Sequence, residues 1–280
     1  MRISHALRLG IGAVAIAIAA STTGCGGGND AGTGGSQAKD GKLTIGIKFD
    51  QPGLSIRDAN GSFRGYDVEV AKYVAGKLGV RPADITFKEA PSAQRETMIM
   101  NGEVDFVVGT YSITEGRKEK VDFAGPYFVA GQALLVRMTN TDITGVESLN
   151  GNRKVCSVKG STPVQNIKDN YAKDIQLLEL DTYSKCVDQL RSGAVDAVTT
   201  DDIILAGYAG LAPGELKLVG PTFSVEKYGI GLKKGDRDTR EKINNAIEEM
   251  VADGSWQRAF ETTIGPLSGS TLTPPVVDRY

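Results

Sequence analysis

The sequence predicts an α/β protein with two similar lobes, and three observations support this fold class. Apolar, strand-like runs alternate with amphipathic, helix-like segments from residue 43 onward, a pattern typical of mostly parallel sheets covered by helices. The stretch 102–110, GEVDFVVGT, recurs in pattern at 193–201, GAVDAVTTD. The chain has 280 residues, a length that suggests two domains. Since open α/β sheets bind ligands beyond the carboxyl ends of their strands, the repeat predicts a cleft shared by Thr110 and Asp201.

The first half of this region contains four predicted strands and two predicted helices. The strands cover residues 43–49, 84–90, 104–110 and 127–137. The helices cover residues 65–79 and 92–101. In the longer helix, Val70, Val74 and Leu78 fall on one face and Gly79 marks the end. Ser92 is a predicted N-cap of the shorter helix.

The second half repeats the alternation. Its predicted strands cover residues 154–160, 175–180, 194–201 and 227–235. Its predicted helices cover residues 162–171, 182–193 and 237–254. In the last of these, Ile243, Ile247 and Met250 lie on one face. Residues 255–265 close the fold, and a proline-containing tail follows.

The first 25 residues have the pattern of an export signal. Arg2 and Arg8 precede an apolar run at residues 9–20, which is shorter than the ~20 residues that span a bilayer and fits a secretory signal. Small residues lead to Cys25 in a pattern that resembles the lipobox of bacterial lipoproteins, although Thr22 stands where leucine is usual. The resemblance implies a signal peptide over 1–24, an acylated Cys25 and a flexible tether over 25–40. The alternative is an ordinary signal peptide with an incidental cysteine.

Composition excludes several functional classes. The net charge is −2 and the single histidine, His5, lies in the predicted signal. The exported chain therefore has no histidine for a catalytic triad or a zinc site, and it lacks the basic surface of a nucleic-acid binder. We expect no metal and no cofactor. Cys156 and Cys186 form an even pair in an exported chain, which predicts a disulfide; two buried free thiols are the alternative.

A specific resemblance begins at residues 109–128, GTYSITEGRKEKVDFAGPYF. This run resembles the signature of family 3 solute-binding proteins, the amino-acid receptors of ABC importers. The resemblance continues in order through FDQPGLSIRDANGSFRGYDVEVAKYVAGKLG, KGST, VDAVTTDD and DGSWQRAF, spans residues 41–266 and is strongest to glutamate-binding lipoproteins.

The resemblance implies a periplasmic-binding-protein-like fold of type II, in which two hinge strands join two α/β lobes. The hinge crossings are expected near residues 134–138 and 222–227. Lobe 1 then comprises residues 41–135 and 226–280, and lobe 2 comprises residues 136–225.

The resemblance also implies which residues hold the head group of an amino acid. Arg117, helped by Thr114, would bind the α-carboxylate, because its planar fork suits a carboxylate. The remaining head-group residues are Ser161 and Thr162 for the same carboxylate, and Asp201, Thr110 and Ser112 for the ammonium. The alternatives are a solvated Arg117 in a charged run, Thr162 as no more than an N-cap, and Asp202 in place of Asp201.

Four residues are implied for the side-chain pocket. Phe49 would cover the aliphatic part of the ligand, and Lys48, Ser92 and Arg95 would face a distal carboxylate, as in family members that bind acidic amino acids. In the alternative, Lys48 and Arg95 lie on the cleft rim, or Arg95 pairs with Glu89.

These expectations define a monomeric receptor, anchored to the outer face of the cell membrane through Cys25, that delivers a free amino acid to the permease of an ABC importer. L-Glutamate is the expected ligand, with glutamine, aspartate and asparagine as alternatives. An enzyme on the same fold, such as a prephenate or arogenate dehydratase, and a sensory or adhesive surface module remain as other classes. The missing histidine disfavours the enzyme, which needs an acid–base group.

Overall fold

A computed structural model describes residues 41–171, 175–269 and 272–280. The predicted signal peptide, the tether and Cys25 lie outside the described residues. Within these ranges no helix combines the length and the apolar character needed to cross a bilayer.

The described residues form thirteen strands and nine α-helices. The strands are β1 (Leu43–Ile47), β2 (Asp50–Gln51), β3 (Ser55–Arg57), β4 (Phe63–Arg64), β5 (Ile85–Glu89), β6 (Phe106–Val107), β7 (Val121–Ala130), β8 (Gln132–Arg137), β9 (Arg153–Val158), β10 (Ile175–Leu180), β11 (Ala197–Asp201), β12 (Leu216–Val219) and β13 (Glu226–Lys233). The helices are α1 (Tyr66–Lys77), α2 (Arg95–Met100), α3 (Glu115–Lys118), α4 (Thr162–Asn170), α5 (Tyr183–Ser192), α6 (Asp202–Leu211), α7 (Arg237–Ala252), α8 (Ser255–Thr262) and α9 (Gly265–Ser268).

Two five-stranded sheets organise the chain. The first has the order β5-β1-β6-β13-β7 and the second the order β10-β9-β11-β8-β12, while β2, β3 and β4 form a small separate sheet. In each large sheet the first three strands are parallel, and the strands next to the crossings are antiparallel. The predicted α/β fold is confirmed, with more antiparallel pairing than the sequence pattern indicates.

The chain passes from the first sheet to the second at Gly131. The predicted strand 127–137 is in fact two strands, because β7 pairs with β13 in one sheet and β8 pairs with β11 in the other. The first crossing between the lobes therefore comes earlier in the chain than the predicted residues 134–138. Residues 132–135, which were predicted to belong to lobe 1, lie in the second sheet. A Cβ atom on Gly131 would come within 2.7 Å of Thr222 in the return crossing, so the two crossings lie side by side.

Helix packing follows the apolar faces that the sequence predicts. Val70 and Val74 of α1 are buried, as are Ile243, Ile247 and Met250 of α7. These faces pack on the first sheet because an amphipathic helix gains stability chiefly by covering its apolar stripe.

An aromatic core supports the crossing strand β7. Phe128 packs with Tyr66, Trp256 and Phe260, and the indole Nε1 of Trp256 donates to the carbonyl of Tyr127 at 2.8 Å. The inner end of β7 is thereby held against α1 and α8.

The C-terminal tail lies along the outer edge of β7. The amide of Asp278 donates to the Gly125 carbonyl at 2.9 Å, and the hydroxyl of Tyr280 accepts from the Phe123 amide at 2.9 Å. An unpaired strand edge is a template for unwanted pairing, and the tail covers part of this one.

A disulfide joins Cys156 of β9 to Cys186 of α5, with the Cα atoms 5.5 Å apart. This is the pairing that the sequence predicts. The bridge closes a sequence separation of 30 residues, which corresponds to about 3–4 kcal/mol of stabilisation on the chain-entropy account. It fastens α5 to the second sheet.

Candidate functional site

The carboxyl ends of the central strands of the two sheets meet at a cleft, and Arg117 crosses it. Its Nη1 donates to the Ser112 carbonyl at 2.7 Å and its Nη2 to the Gly160 carbonyl at 3.0 Å. The side chain is 11% exposed and its Nε lies 3.3 Å from Glu96. Arg117 is therefore not the solvated arginine of the alternative interpretation, and it lies where groups from both lobes reach it.

The short helix α3 fixes the backbone of Arg117. Thr114 is the N-cap of α3, and its hydroxyl accepts from the Arg117 amide at 3.2 Å. The N-cap bond satisfies one of the free amides of the first turn. Thr114 therefore positions the backbone from which the guanidinium extends.

The second lobe contributes the N-terminus of α4. Ser161 is the N-cap and accepts from the Val164 amide at 3.2 Å, so the N-cap role considered for Thr162 belongs to Ser161. Thr162 instead lies 3.2 Å from the Ser112 hydroxyl and donates to Glu226 at 2.7 Å. Free amides at a helix N-terminus favour an anion, and here they face the cleft beside hydroxyl groups.

Asp201 ends β11 and is 2% exposed. Its Oδ2 accepts from the Tyr228 hydroxyl at 2.5 Å, and its Oδ1 has no hydrogen-bond partner among the described residues. Burial, followed by the nearby Glu226, raises the pKa of Asp201 well above its usual value. Asp202 accepts from the amides of Gly131 and Ile203. Both of these bonds go to Oδ1 of Asp202, and Asp202 is only half-buried. The carboxylate with a buried oxygen that lacks a partner among the described residues is Asp201, which favours it over Asp202.

Lys48 and Arg95 form a buried cationic pair in the first lobe. They are 6% and 2% exposed, and Lys48 Nζ donates to the Ser92 hydroxyl at 2.8 Å. Burial first, and Arg95 second, lower the pKa of Lys48 to about 7. Burial and then Arg117 lower the pKa of Arg95 to about 10.

Arg95 is held by backbone rather than by an acid. Its Nη1 donates to the carbonyls of Gly109 and Thr110 at 3.0 and 3.3 Å, and the guanidinium carbon lies 4.0 Å from the centre of the Tyr111 ring. In the described part of the chain no ion pair joins Lys48 or Arg95 to a carboxylate. The rim position and the pairing with Glu89 are therefore wrong. Ser92 is also not an N-cap, because α2 begins three residues later.

Thr110 has a left-handed backbone, with φ of 46°. Its amide donates to Asp67 at 3.1 Å and its hydroxyl lies 3.2 Å from the Gln51 side chain. Such a φ is uncommon for a β-branched residue. The segment from Thr110 to Ser112 is thus turned so that it connects Arg95 with Arg117.

Phe49 directly follows Lys48 and packs in a small aromatic cluster. Its ring lies 4.8 Å from that of Phe63, which packs in turn against Phe87, and the Arg57 guanidinium lies 5.7 Å from it. No ring or hydrogen-bond contact links Phe49 to the other site residues within the described ranges. Its predicted position over the ligand has the least structural support.

Three residues near the cleft escaped the sequence prediction. Tyr183 at the start of α5 is 4% exposed, and its pKa is raised by burial and by Asp201. Glu226 accepts from Thr162, and Asp67 accepts from Thr110. For Asp67 a signal existed, because it precedes Val70 and Val74 by three and seven residues and so shares their buried face.

The two lobes touch beside the site. Asp50 accepts from the Ser184 amide at 3.0 Å and from the Tyr208 hydroxyl at 3.2 Å. A Cβ on Gly207 would lie 2.2 Å from the Pro52 carbonyl oxygen. The structure is thus a conformation in which the lobes are in close contact.

The cleft offers cations and hydroxyl groups for carboxylates and a buried carboxylate for an ammonium group. The described residues contain no cluster of acidic or cysteine side chains that could hold a metal ion. Such a set of groups is suited to binding a small charged molecule between two lobes.

Comparison with known proteins agrees with this geometry. The profile of the bacterial extracellular solute-binding proteins, family 3, matches residues 43–266. The chain belongs to this family. Among its relatives, the glutamate-binding protein GluB of Corynebacterium efficiens is 47% identical over 236 residues, covering 81% of this chain and 80% of the relative. The ABC transporter glutamine-binding protein GlnH of Bacillus subtilis is 37% identical, covering 80% and 81%.

Solved structures confirm the two-lobe fold of this family 3 protein. An ancestral arginine-binding protein bound to glutamine is 38% identical with a TM-score of 0.75, covering 80% of this chain and 98% of that structure. The solute receptor for L-cysteine of Neisseria gonorrhoeae is 28% identical with a TM-score of 0.78, covering 85% and 96%. The protein is therefore an exported amino-acid receptor of an ABC importer, and the family and its close relatives are binding proteins rather than enzymes.

Proposed function

We propose that this receptor captures L-glutamate and presents it to the permease of an ABC importer. The observation that carries the proposal is the buried pair Lys48 and Arg95. A buried charge without a partner is costly, and two adjacent cations each make the other less favourable. The distal carboxylate of glutamate would pair with Arg95 and favour the charged form of Lys48, whose pKa is lowered to about 7, whereas the amide of glutamine would supply no opposite charge.

In this proposal the head group binds at the other end of the cleft. Arg117 and the N-terminus of α4, with Ser161 and Thr162, hold the α-carboxylate. Asp201 receives the ammonium on its unpaired oxygen, helped by Thr110 and Ser112. The three charges of glutamate then each meet an opposite charge, which is the condition for burying ions at low cost.

The relatives support the ligand class and leave the choice within it open. The relative with 47% identity is named as a glutamate-binding protein, and a relative with 37% identity as a glutamine-binding protein. Isothermal titration of ligand-free protein with glutamate, aspartate, glutamine and asparagine tests the proposal. We expect glutamate to bind most tightly; a preference for glutamine would refute the glutamate assignment and leave the receptor function intact.

We also propose that the receptor works as a monomer tethered to the outer face of the cell membrane through an acylated Cys25. The apolar run, the Gly24–Cys25 junction and the glycine-rich segment that follows support this, since two acyl chains give stable anchoring. Cys25→Ser should release the protein into the medium or leave it unprocessed. Normal processing with full membrane retention would contradict the anchor.

A further inference from the structure

Asp67 is a fully buried carboxylate one layer behind the cleft. It lies in the first turn of α1 with no exposed surface. Its Oδ1 accepts from the Tyr127 hydroxyl at 2.8 Å and its Oδ2 from the Thr110 amide at 3.1 Å. The binding assignment above gives this residue no role.

Asp67 contacts the candidate binding site through its hydrogen bond with the Thr110 amide. Thr110 holds a left-handed φ of 46°, a conformation that is strained for a residue other than glycine and persists only where its surroundings enforce it. The hydrogen bond to Asp67 is the contact that ties this amide down, and its loss would leave a buried amide without a partner, which is costly.

The turned backbone sets the direction of several binding groups at once. The Thr110 carbonyl accepts from Arg95, and the Thr110 hydroxyl contacts Gln51. Two residues further on, the Ser112 carbonyl accepts from Arg117. A rotation at Thr110 would therefore displace the groups that face both ends of the ligand.

We infer that Asp67 is a positioning residue for amino-acid binding, which holds Thr110 in its left-handed conformation and thereby orders the segment between Arg95 and Arg117. This inference rests on the proposal that the cleft binds an amino acid through these residues. It predicts that the loss of Asp67 weakens every ligand by the same factor, since Asp67 itself touches none of them.

Two substitutions separate the effect of the negative charge of Asp67 from the effect of its hydrogen bonds. Burial, partly offset by the Tyr127 hydroxyl, raises its pKa to about 7. In Asp67→Asn the amide oxygen still accepts from Thr110, while the amide nitrogen donates to the Tyr127 oxygen, which can reverse its role. Asp67→Leu keeps the volume but leaves both partners unsatisfied.

The experiment compares these two variants with Asn244→Leu. Asn244 is 1% exposed and accepts from the Gly125 amide at 2.9 Å, so its loss damages the same lobe without reaching Thr110. We expect Asp67→Leu to bind L-glutamate and L-glutamine about ten- to a hundredfold more weakly. Asp67→Asn should stay within about threefold of the wild type. Asn244→Leu should lower the unfolding temperature with little change in affinity.

Hydrogen exchange at the Thr110 amide gives a readout that needs no ligand. Protection should fall in Asp67→Leu and persist in Asp67→Asn and Asn244→Leu. If Asp67→Leu and Asn244→Leu weaken binding equally, or if Thr110 stays protected in Asp67→Leu, the inference is overturned. If Asp67→Leu does not fold, a large loss of affinity in the isosteric Asp67→Asn with Thr110 still protected would overturn it as well. Should the wild type bind neither ligand, the proposed function fails and the exchange data alone decide the role of Asp67.

Discussion

Replacing Arg95 by glutamine tests whether the distal end of the cleft is built for a carboxylate. The variant removes one of two buried cations and keeps a polar side chain of similar reach. Glutamate should lose a charge partner, whereas glutamine should lose none.

The size of the effect follows from the surroundings of Arg95. The residue is 2% exposed, and truncating one partner of a buried charge pair costs about 2–5 kcal/mol. Lys48 remains beside the carboxylate, so the lower end applies, about thirtyfold in affinity. The bonds from Arg95 to the Gly109 and Thr110 carbonyls are lost for both ligands and cancel in the ratio.

The assay is calorimetric titration of ligand-stripped protein with glutamate and glutamine at neutral pH. Arg57→Gln is the matched control, because Arg57 is an exposed cation of the same lobe and its loss should change the ratio by less than about twofold. Lys48→Gln should shift the ratio in the same direction as Arg95→Gln. Equal loss of glutamate and glutamine affinity in both variants would show that the pocket does not recognise an acidic side chain.

Three further outcomes are expected. Alkylation without reductant, followed by intact-mass measurement of exported protein, should leave Cys156 and Cys186 unmodified; two alkylated thiols would contradict the bridge. Tyr208→Phe removes a hydroxyl that donates to Asp50 across the cleft, so all ligands should bind about two- to tenfold more weakly, while added ligand still shrinks the radius of gyration in solution scattering; an unchanged scattering profile would argue against closure. Burial raises the pKa of Asp67 from an ordinary 3.8 to about 7, so between about pH 4 and 7 the unfolded chain has lost this proton and the folded wild type still holds it. Its free energy of unfolding should therefore fall relative to that of Asp67→Asn by up to about 1.4 kcal/mol per pH unit, and parallel pH profiles would refute this.

The sequence predicted most helices and strands, because the spacing of apolar residues that determines their buried faces lies within each segment. The buried faces of α1 and α7 are readable from apolar spacing, and β1 and β9 from apolar runs. The break at Gly131 was not predictable in this way, since both flanking strands are apolar and only their pairing partners differ. The course of the tail along β7 depends on hydrogen bonds to a distant strand, so the sequence pattern gave no signal for it.

The candidate site was predictable where a motif carried it. Arg117, Asp201, Lys48 and Arg95 lie at the cleft in the structure, and their binding roles stay a prediction. Tyr183 and Glu226 were missed because their proximity to the site arises from the contact between lobes. The local sequence around each is unremarkable for a helix start or a strand end.

The close approach at Gly207 has a consequence for how an importer could distinguish a loaded receptor from an empty one. A single methyl group at that position would collide with the Pro52 carbonyl, and one at Gly160 would lie 2.7 Å from the Cα of Ala93 on the opposite lobe. The facing surfaces therefore tolerate no spacer as thick as one carbon atom. We therefore expect a ligand that is longer by such an amount to keep the lobes apart at these two contacts, and the separation of the lobes would then differ on the outer surface of the protein.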